Sequence, residues 1–155
     1  MFTYQRGAKG FTLVEIMIVV AIIALIAAIA IPNLLRARHN ANEGAAIGNM
    51  HALVSALESF RANQTPPAYP ALLADLANAN PPYVDAVLAG GTRQGYTFTF
   101  TPGVAAANGA VSTYTLTGIP VTANVDGTRG FWADESGVIR VDAAGAPDAA
   151  DPPLE

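Results

Sequence analysis

Between Phe11 and Leu35 the chain reads FTLVEIMIVVAIIALIAAIAIPNLL, and Glu15 is the only ionisable side chain in that run. Ile16 to Ile31 contains no polar side chain at all. About 20 apolar residues in a helix suffice to cross a hydrocarbon core of roughly 30 Å. A helix that is apolar all round has to be covered on every side, by lipid or by other helices. Arg6 and Lys9 precede the run and Arg36 and Arg38 follow it. With basic residues on both flanks, the positive-inside rule does not select an orientation.

Two ordinary readings compete for this segment. A secretory signal peptide would use the basic start, the apolar stretch and the small residues at Ala28-Ile29-Ala30, but the run exceeds the usual apolar region of about 7–15 residues. A plain single-pass anchor fits the length, yet it leaves Glu15 unexplained. A carboxylate inside a membrane segment is costly and calls for a partner.

Outside that run the chain has the make-up of one small domain. It has 155 residues and no cysteine, so neither a disulfide framework nor a thiolate metal site belongs to it. Its 52% hydrophobic and 13% charged residues are skewed by the N-terminal run. The formal net charge is -4, and no nucleic-acid partner is expected, because phosphate binding needs a dense basic surface.

Lys9-Gly10-Phe11-Thr12-Leu13-Val14-Glu15, followed by the unbroken apolar run with Pro32, resembles the class III signal of type IV pilins and type II secretion pseudopilins. The resemblance implies a prepilin peptidase that cuts between Gly10 and Phe11 and methylates the new amino terminus on Phe11. It also makes Glu15 the family's glutamate. The segments Gly95–Phe100 and Arg129–Arg140 resemble the heads of pilin-like proteins as well. Cleavage would remove Arg6 and Lys9, leaving six basic against 12 acidic side chains.

The cleaved chain answers the puzzle of Glu15 in physical terms. The new α-amino group lies four residues ahead of Glu15, and residues four apart share a helix face. The pair can close within one helix, or Glu15 can seek the terminus of a neighbour in a growing filament. Where dielectric is low, a wrong stagger leaves both charges unpaired, so the pairing sets assembly register. The competing reading makes Glu15 a helix N-terminal acid favoured by the helix dipole. Pro32 lacks an amide proton and should kink or locally melt the helix near Ala28 to Ile31. Ala24, Ala27, Ala28 and Ala30 would permit close helix approach.

The helical pattern continues past the apolar run. Ile47, Met50, Val54, Leu57 and Phe60 recur at spacings of three and four, with Asn49, Ser55, Glu58 and Ser59 largely off the stripe. The helix should end near Asn63–Pro67, since a proline pair cannot continue it. Tyr69 to Asn78 and Pro82 to Leu88 each read as a short helix, the first with Leu72, Leu73 and Leu76 inward.

Strand signals come next. Tyr96, Phe98 and Phe100 alternate with Thr97, Thr99 and Thr101, and Tyr114 and Leu116 alternate with Thr113, Thr115 and Thr117, giving one hairpin. Gly130–Ala133 and Val138–Val141 flank the turn-rich Asp134-Glu135-Ser136-Gly137 and give a second. The expected architecture is α+β and pilin-like: a long N-terminal helix, apolar in its first half, packed by its second half on an antiparallel sheet of about four strands. Its divisions are a leader at 1–10, an apolar membrane or filament-core helix at 11–35, an amphipathic helix half at 36–63, a head at 64–142 and a tail at 143–155. The tail, rich in Ala, Asp and Pro, is expected to be mobile or to lie over the head.

No catalytic constellation is apparent, and an enzymatic role is not expected. His39 and His51 are about 18 Å apart along one helix at about 1.5 Å per residue and cannot share a metal. Asp126, Asp134, Glu135 and Asp142 are oxygen ligands of the kind calcium takes, and major pseudopilins of the resembling family bind calcium. There is no dense D-x-D-x-D-G loop, and solvated turns account for the acids equally; no cofactor is expected. Arg36, Arg38 and His39 can meet acidic lipid headgroups or acids of neighbouring subunits. The expected function is a structural subunit of a type IV pilus-like filament, held in the inner membrane before assembly and exposed at the cell surface afterwards. Its partners are copies of itself, prepilin peptidase and the assembly machinery. The alternatives are a major pseudopilin of a type II secretion system, acting in the periplasm, and a membrane-anchored binding domain that never polymerises.

Overall fold

The computed structural model describes residues 10–154. Arg6, Lys9 and the rest of the expected leader before Gly10 lie outside the described residues. The chain divides into two compact units, Met1–Arg36 and Ala37–Glu155. Helix α1, Leu13–Ala62, contributes to both.

In the first unit α1 is the only element among the described residues. Its side chains are almost all exposed, and its most apolar 18-residue window has a mean hydropathy of 3.1 with none of it buried. The helix is long and apolar enough to cross a membrane. Pro32 sits inside it, and Ala28 to Ile31 keep helical structure. The local melting expected there is absent from this structure.

In the second unit the stripe of α1 is buried as its spacing dictates. Met50, Leu53 and Leu57 are fully covered, and Ile47 and Phe60 are packed at the margin. They meet a five-stranded antiparallel sheet whose spatial order is its chain order: β1 (Thr92–Arg93), β2 (Tyr96–Pro102), β3 (Tyr114–Pro120), β4 (Gly130–Asp134) and β5 (Arg140–Asp142). Alternation sends Tyr96 and Phe98 of β2, Tyr114 and Leu116 of β3, and Phe131 and Ala133 of β4 into one core with the helix stripe. Covering each large apolar side chain contributes about 1.5–3 kcal/mol. Gly118 of β3 lies where a Cβ would come within 3.2 Å of the Phe98 ring and 3.3 Å of the Met50 sulfur.

Four features differ from the sequence-based expectation. The sheet has five strands rather than about four, because Gln94 (φ 50°) and Gly95 (φ 77°) form a two-residue turn that folds Thr92–Arg93 back on β2. The short helices shrink to α2 (Ala74–Asn78) and α3 (Ala86–Ala89). Tyr69 is not helical: its amide donates to the Val111 carbonyl (2.8 Å), which ties that segment to the β2–β3 loop. In consequence Leu72, expected inward, is 63% exposed, while Leu73 and Leu76 are buried. Val138 belongs to the turn rather than to a strand, and β5 begins at Arg140.

The tail takes the second of its two expected forms. The Val141 amide donates to the Pro152 carbonyl (3.0 Å), the Leu154 amide to the Ile139 carbonyl (2.8 Å) and the Arg140 guanidinium to the Asp151 carbonyl (2.9 Å). Arg140 and Pro153 form an antiparallel bridge, and Leu154 packs against the core.

Candidate functional site: the start of the apolar helix

The motif residues come together at the first turn of α1. Thr12 is the N-cap: its hydroxyl accepts from the Glu15 amide (3.2 Å). The Glu15 carboxylate reaches back, and its Oε2 accepts from the Thr12 amide (2.8 Å) and the Thr12 hydroxyl (2.9 Å). This is a capping box, T-x-x-E, which satisfies amide donors that a helix start otherwise leaves orphaned. Among the described residues, Glu15 Oε1 receives no hydrogen bond. The carboxylate is therefore held in place through one oxygen while the other stays open to a second donor.

Phe11 is 85% exposed and makes no part of the capping box. At Gly10, a Cβ would meet nothing within 4 Å, so packing among the described residues does not require glycine there. The sequence reading placed Glu15 correctly at the helix start but overlooked Thr12. The signal was present, since Thr or Ser three residues ahead of Glu before an apolar run is a helix-start signature.

A second carboxylate, Glu43, went unnoticed. It lies on the α1 stripe four residues before Ile47 and is 5% exposed. Its Oε1 accepts from the Thr128 amide (2.9 Å), the Thr128 hydroxyl (3.0 Å) and the Arg129 amide (3.2 Å), and its Oε2 takes the Arg129 guanidinium (2.8 Å). Next to it, the Asn42 amide group donates to the Asp126 carbonyl (2.9 Å). Together they clamp the β3–β4 loop onto the helix. Burial pushes the Glu43 carboxyl up, but the hydrogen bonds from Thr128 and Arg129 outweigh it and bring the group down to about 2. Tyr96 donates its hydroxyl to the Arg129 carbonyl (2.9 Å), and burial with the nearby Glu43 charge pushes it up to about 12. A Cβ on Gly127 would lie 2.2 Å from that Tyr96 oxygen, so the loop can close only with glycine there. An acidic residue at a stripe position was the available clue.

His39, His51, Asp126, Asp134, Glu135 and Asp142 do not gather. Among the described residues no three His, Cys, Asp or Glu side chains form a group that could hold a metal ion.

Comparison with known proteins bears on the N-terminal unit. The prokaryotic N-terminal methylation motif matches residues 5–31. That motif on an apolar helix, with a sheet-bearing head, defines a pilin-like protein carrying a prepilin signal. Its relatives are type IV pilins and type II secretion pseudopilins. Over 57 residues it is 47% identical to the type IV wide pilus major component PilA4 of Thermus thermophilus, covering 37% of this chain and 44% of that protein. Over 52 residues it is 50% identical to the type IV major pilin protein PilA of Myxococcus xanthus, covering 34% of this chain and 24% of that protein. It is 35% identical over 66 residues to the type II secretion system core protein G of Pseudomonas aeruginosa, covering 43% of this chain and 45% of that protein. The aligned stretch thus spans less than half the length of each of these relatives. No solved structure matches.

Proposed function

We propose that this chain is a structural, non-enzymatic subunit of a type IV pilus-like filament. Prepilin peptidase cuts between Gly10 and Phe11, Phe11 carries the methylated amino terminus, and the apolar helix exchanges inner-membrane lipid for copies of itself at the cell surface. The observation that carries this reading is the first unit of α1: a run of exposed Ile, Val and Leu side chains with a single carboxylate, held by Thr12 through Oε2 and open at Oε1. An ammonium on Phe11, of the same chain or of a neighbour, is the donor that Oε1 can accept. The indifference of packing to Gly10 supports a role in recognition by the peptidase. Pro32 is the point at which the helix can bend when copies pack, since it lacks the amide proton that would tie it to the preceding turn. The assembly machinery of a pilus or a secretion system would draw the subunit from the membrane. Nothing in this reading uses a cofactor, calcium or nucleic acid.

The similarity to type II secretion core protein G supports a second reading, a major pseudopilin assembling in the periplasm. The test is the mass and N-terminal sequence of protein recovered from cells, with electron microscopy of sheared surface material. A chain that begins at methylated Phe11 and lies in sheared filaments supports the pilus. The same chain found only in periplasmic filaments supports the pseudopilus, and its presence only as membrane-bound monomer supports the binding domain. A start at Met1, or after Ala30, overturns all processing at Gly10. Glu15→Ala is expected to be cleaved normally and to form no filaments; normal filaments would remove the register role.

A further inference from the structure

The face of the sheet turned away from α1 carries a hollow of about 420 Å³. Thr101 of β2, Thr115 of β3 and Asp134 of β4 line it in one cross-strand row, since Thr101 pairs with Thr115 and Thr115 with Asp134. Adjacent strands are about 4.8 Å apart, so the row presents two hydroxyls and a carboxylate over roughly 10 Å. Trp132 stands in the next row, opposite Thr117. It is buried yet outside the core cluster, as its place on this face requires. Glu135, on the following turn, and Ala149, on the tail, complete the rim.

The chemistry of the lining selects one kind of guest. No basic side chain lines the hollow, and the Arg140 guanidinium, beside Trp132 in the sheet, is bonded to the Asp151 carbonyl. Two carboxylates without a cation make the hollow negative, which repels anions and draws cations. Asp134 is oriented by its own turn: Oδ1 accepts from the Ser136 amide (2.9 Å) and the Ser136 hydroxyl. Its Oδ2 is thus aimed by bonds made on the other oxygen, and among the described residues Glu135 has no hydrogen-bond partner. A compact metal ion would need several oxygen ligands converging on one point, whereas these acceptors are spread along a row. A planar guanidinium offers five donors over such a span, and indole is the aromatic surface that best attracts it.

The geometry points to a docking site for an arginine side chain of a partner protein, seated on the outward sheet face between Thr115, Asp134, Glu135 and Trp132. It goes beyond the proposed filament role and does not depend on it: every residue of the hollow belongs to the head, and α1 packs on the opposite face.

Trp132 is the only tryptophan in the chain, so its emission reports on this place alone. Full-length protein in detergent micelles would be titrated with N-acetyl-arginine amide, and with N-acetyl-citrulline amide as the uncharged isostere. The expected result is a saturable change in emission with a dissociation constant of about 1 mM for the arginine probe. Citrulline should bind at least about tenfold more weakly, and Glu135→Gln and Asp134→Asn should each weaken arginine about tenfold. Glu135 is an exposed turn residue, so its variant stays informative if Asp134→Asn fails to fold. Equal binding of both probes, unchanged affinity in Glu135→Gln, or a response only to maltose or only to calcium would overturn the proposal. Filament formation by Glu135→Gln is expected to be normal, which separates failure here from failure of the assembly reading.

Discussion

Glu15 and Glu43 are carried by the same helix and sit in opposite circumstances. Glu15 belongs to a unit in which almost nothing is buried, and its only described partner is Thr12, three residues away. Glu43 is covered by its own head and bound by a loop 85 residues further on. The comparison teaches that one helix can answer to two different partners. The second part of α1 is completed by the chain itself. The first part is left incomplete, with an apolar surface and a carboxylate oxygen still to be matched from outside.

The comparison can be broken most directly at the clamp. Glu43→Ala removes four hydrogen bonds at once and strands the Thr128 and Arg129 donors; the head should lose about 4 kcal/mol, read as a lower urea midpoint. A loss under about 1 kcal/mol would mean that the loop holds without the helix carboxylate.

The contrast between the two stretches of α1 comes next. Leu53 is fully buried and Leu25 is 66% exposed, so Leu53→Ala should cost the head about 3 kcal/mol and Leu25→Ala less than about 0.5 kcal/mol. If Leu25→Ala destabilises the unassembled protein as much as Leu53→Ala, the apolar stretch is packed by its own chain after all.

Acid titration sharpens the same point. The folded Glu43 carboxyl lies at about 2, below its ordinary 4.5, so its contribution is complete above about pH 4.5 and is lost as pH falls through about 2. Head stability should drop by about 2–3 kcal/mol across that window, and this part of the drop should vanish in Glu43→Gln.

The smallest effect concerns the capping box. Thr12→Val removes the hydroxyl that caps α1, and amide exchange over residues 13–16 in micelles should quicken about fivefold, the equivalent of a lost N-cap of about 1 kcal/mol. The head should be untouched.

Much of this was legible beforehand wherever a pattern repeats. Sixteen apolar residues in a row from Ile16 to Ile31, the stripe from Ile47 to Phe60 and the Tyr/Phe–Thr alternation of β2 each declare their element through periodicity, and the structure has those elements. What escaped depends on distant partners. Glu43 reads as a solvated helix acid until the Thr128–Arg129 loop is placed against it. Leu72 belongs to a helical pattern that Tyr69 breaks by bonding Val111. Strand β1 is two residues long and exists because Gln94-Gly95 turns it onto β2, a pairing that no stretch of two residues can announce. At the functional end, the T-x-x-E box was visible in the letters, while the openness of one carboxylate oxygen was not.

The tail has a consequence for crowding. A sheet exposes unpaired backbone at its two margins, and many identical heads held at high local concentration would tend to zip together there. At one margin the strand is only two residues long, and at the other the main chain of Pro152 and Leu154 already occupies the hydrogen-bonding groups of Ile139 and Val141. Neighbouring copies are thereby denied backbone-to-backbone fusion, and their association is left to side chains, which can be made and undone.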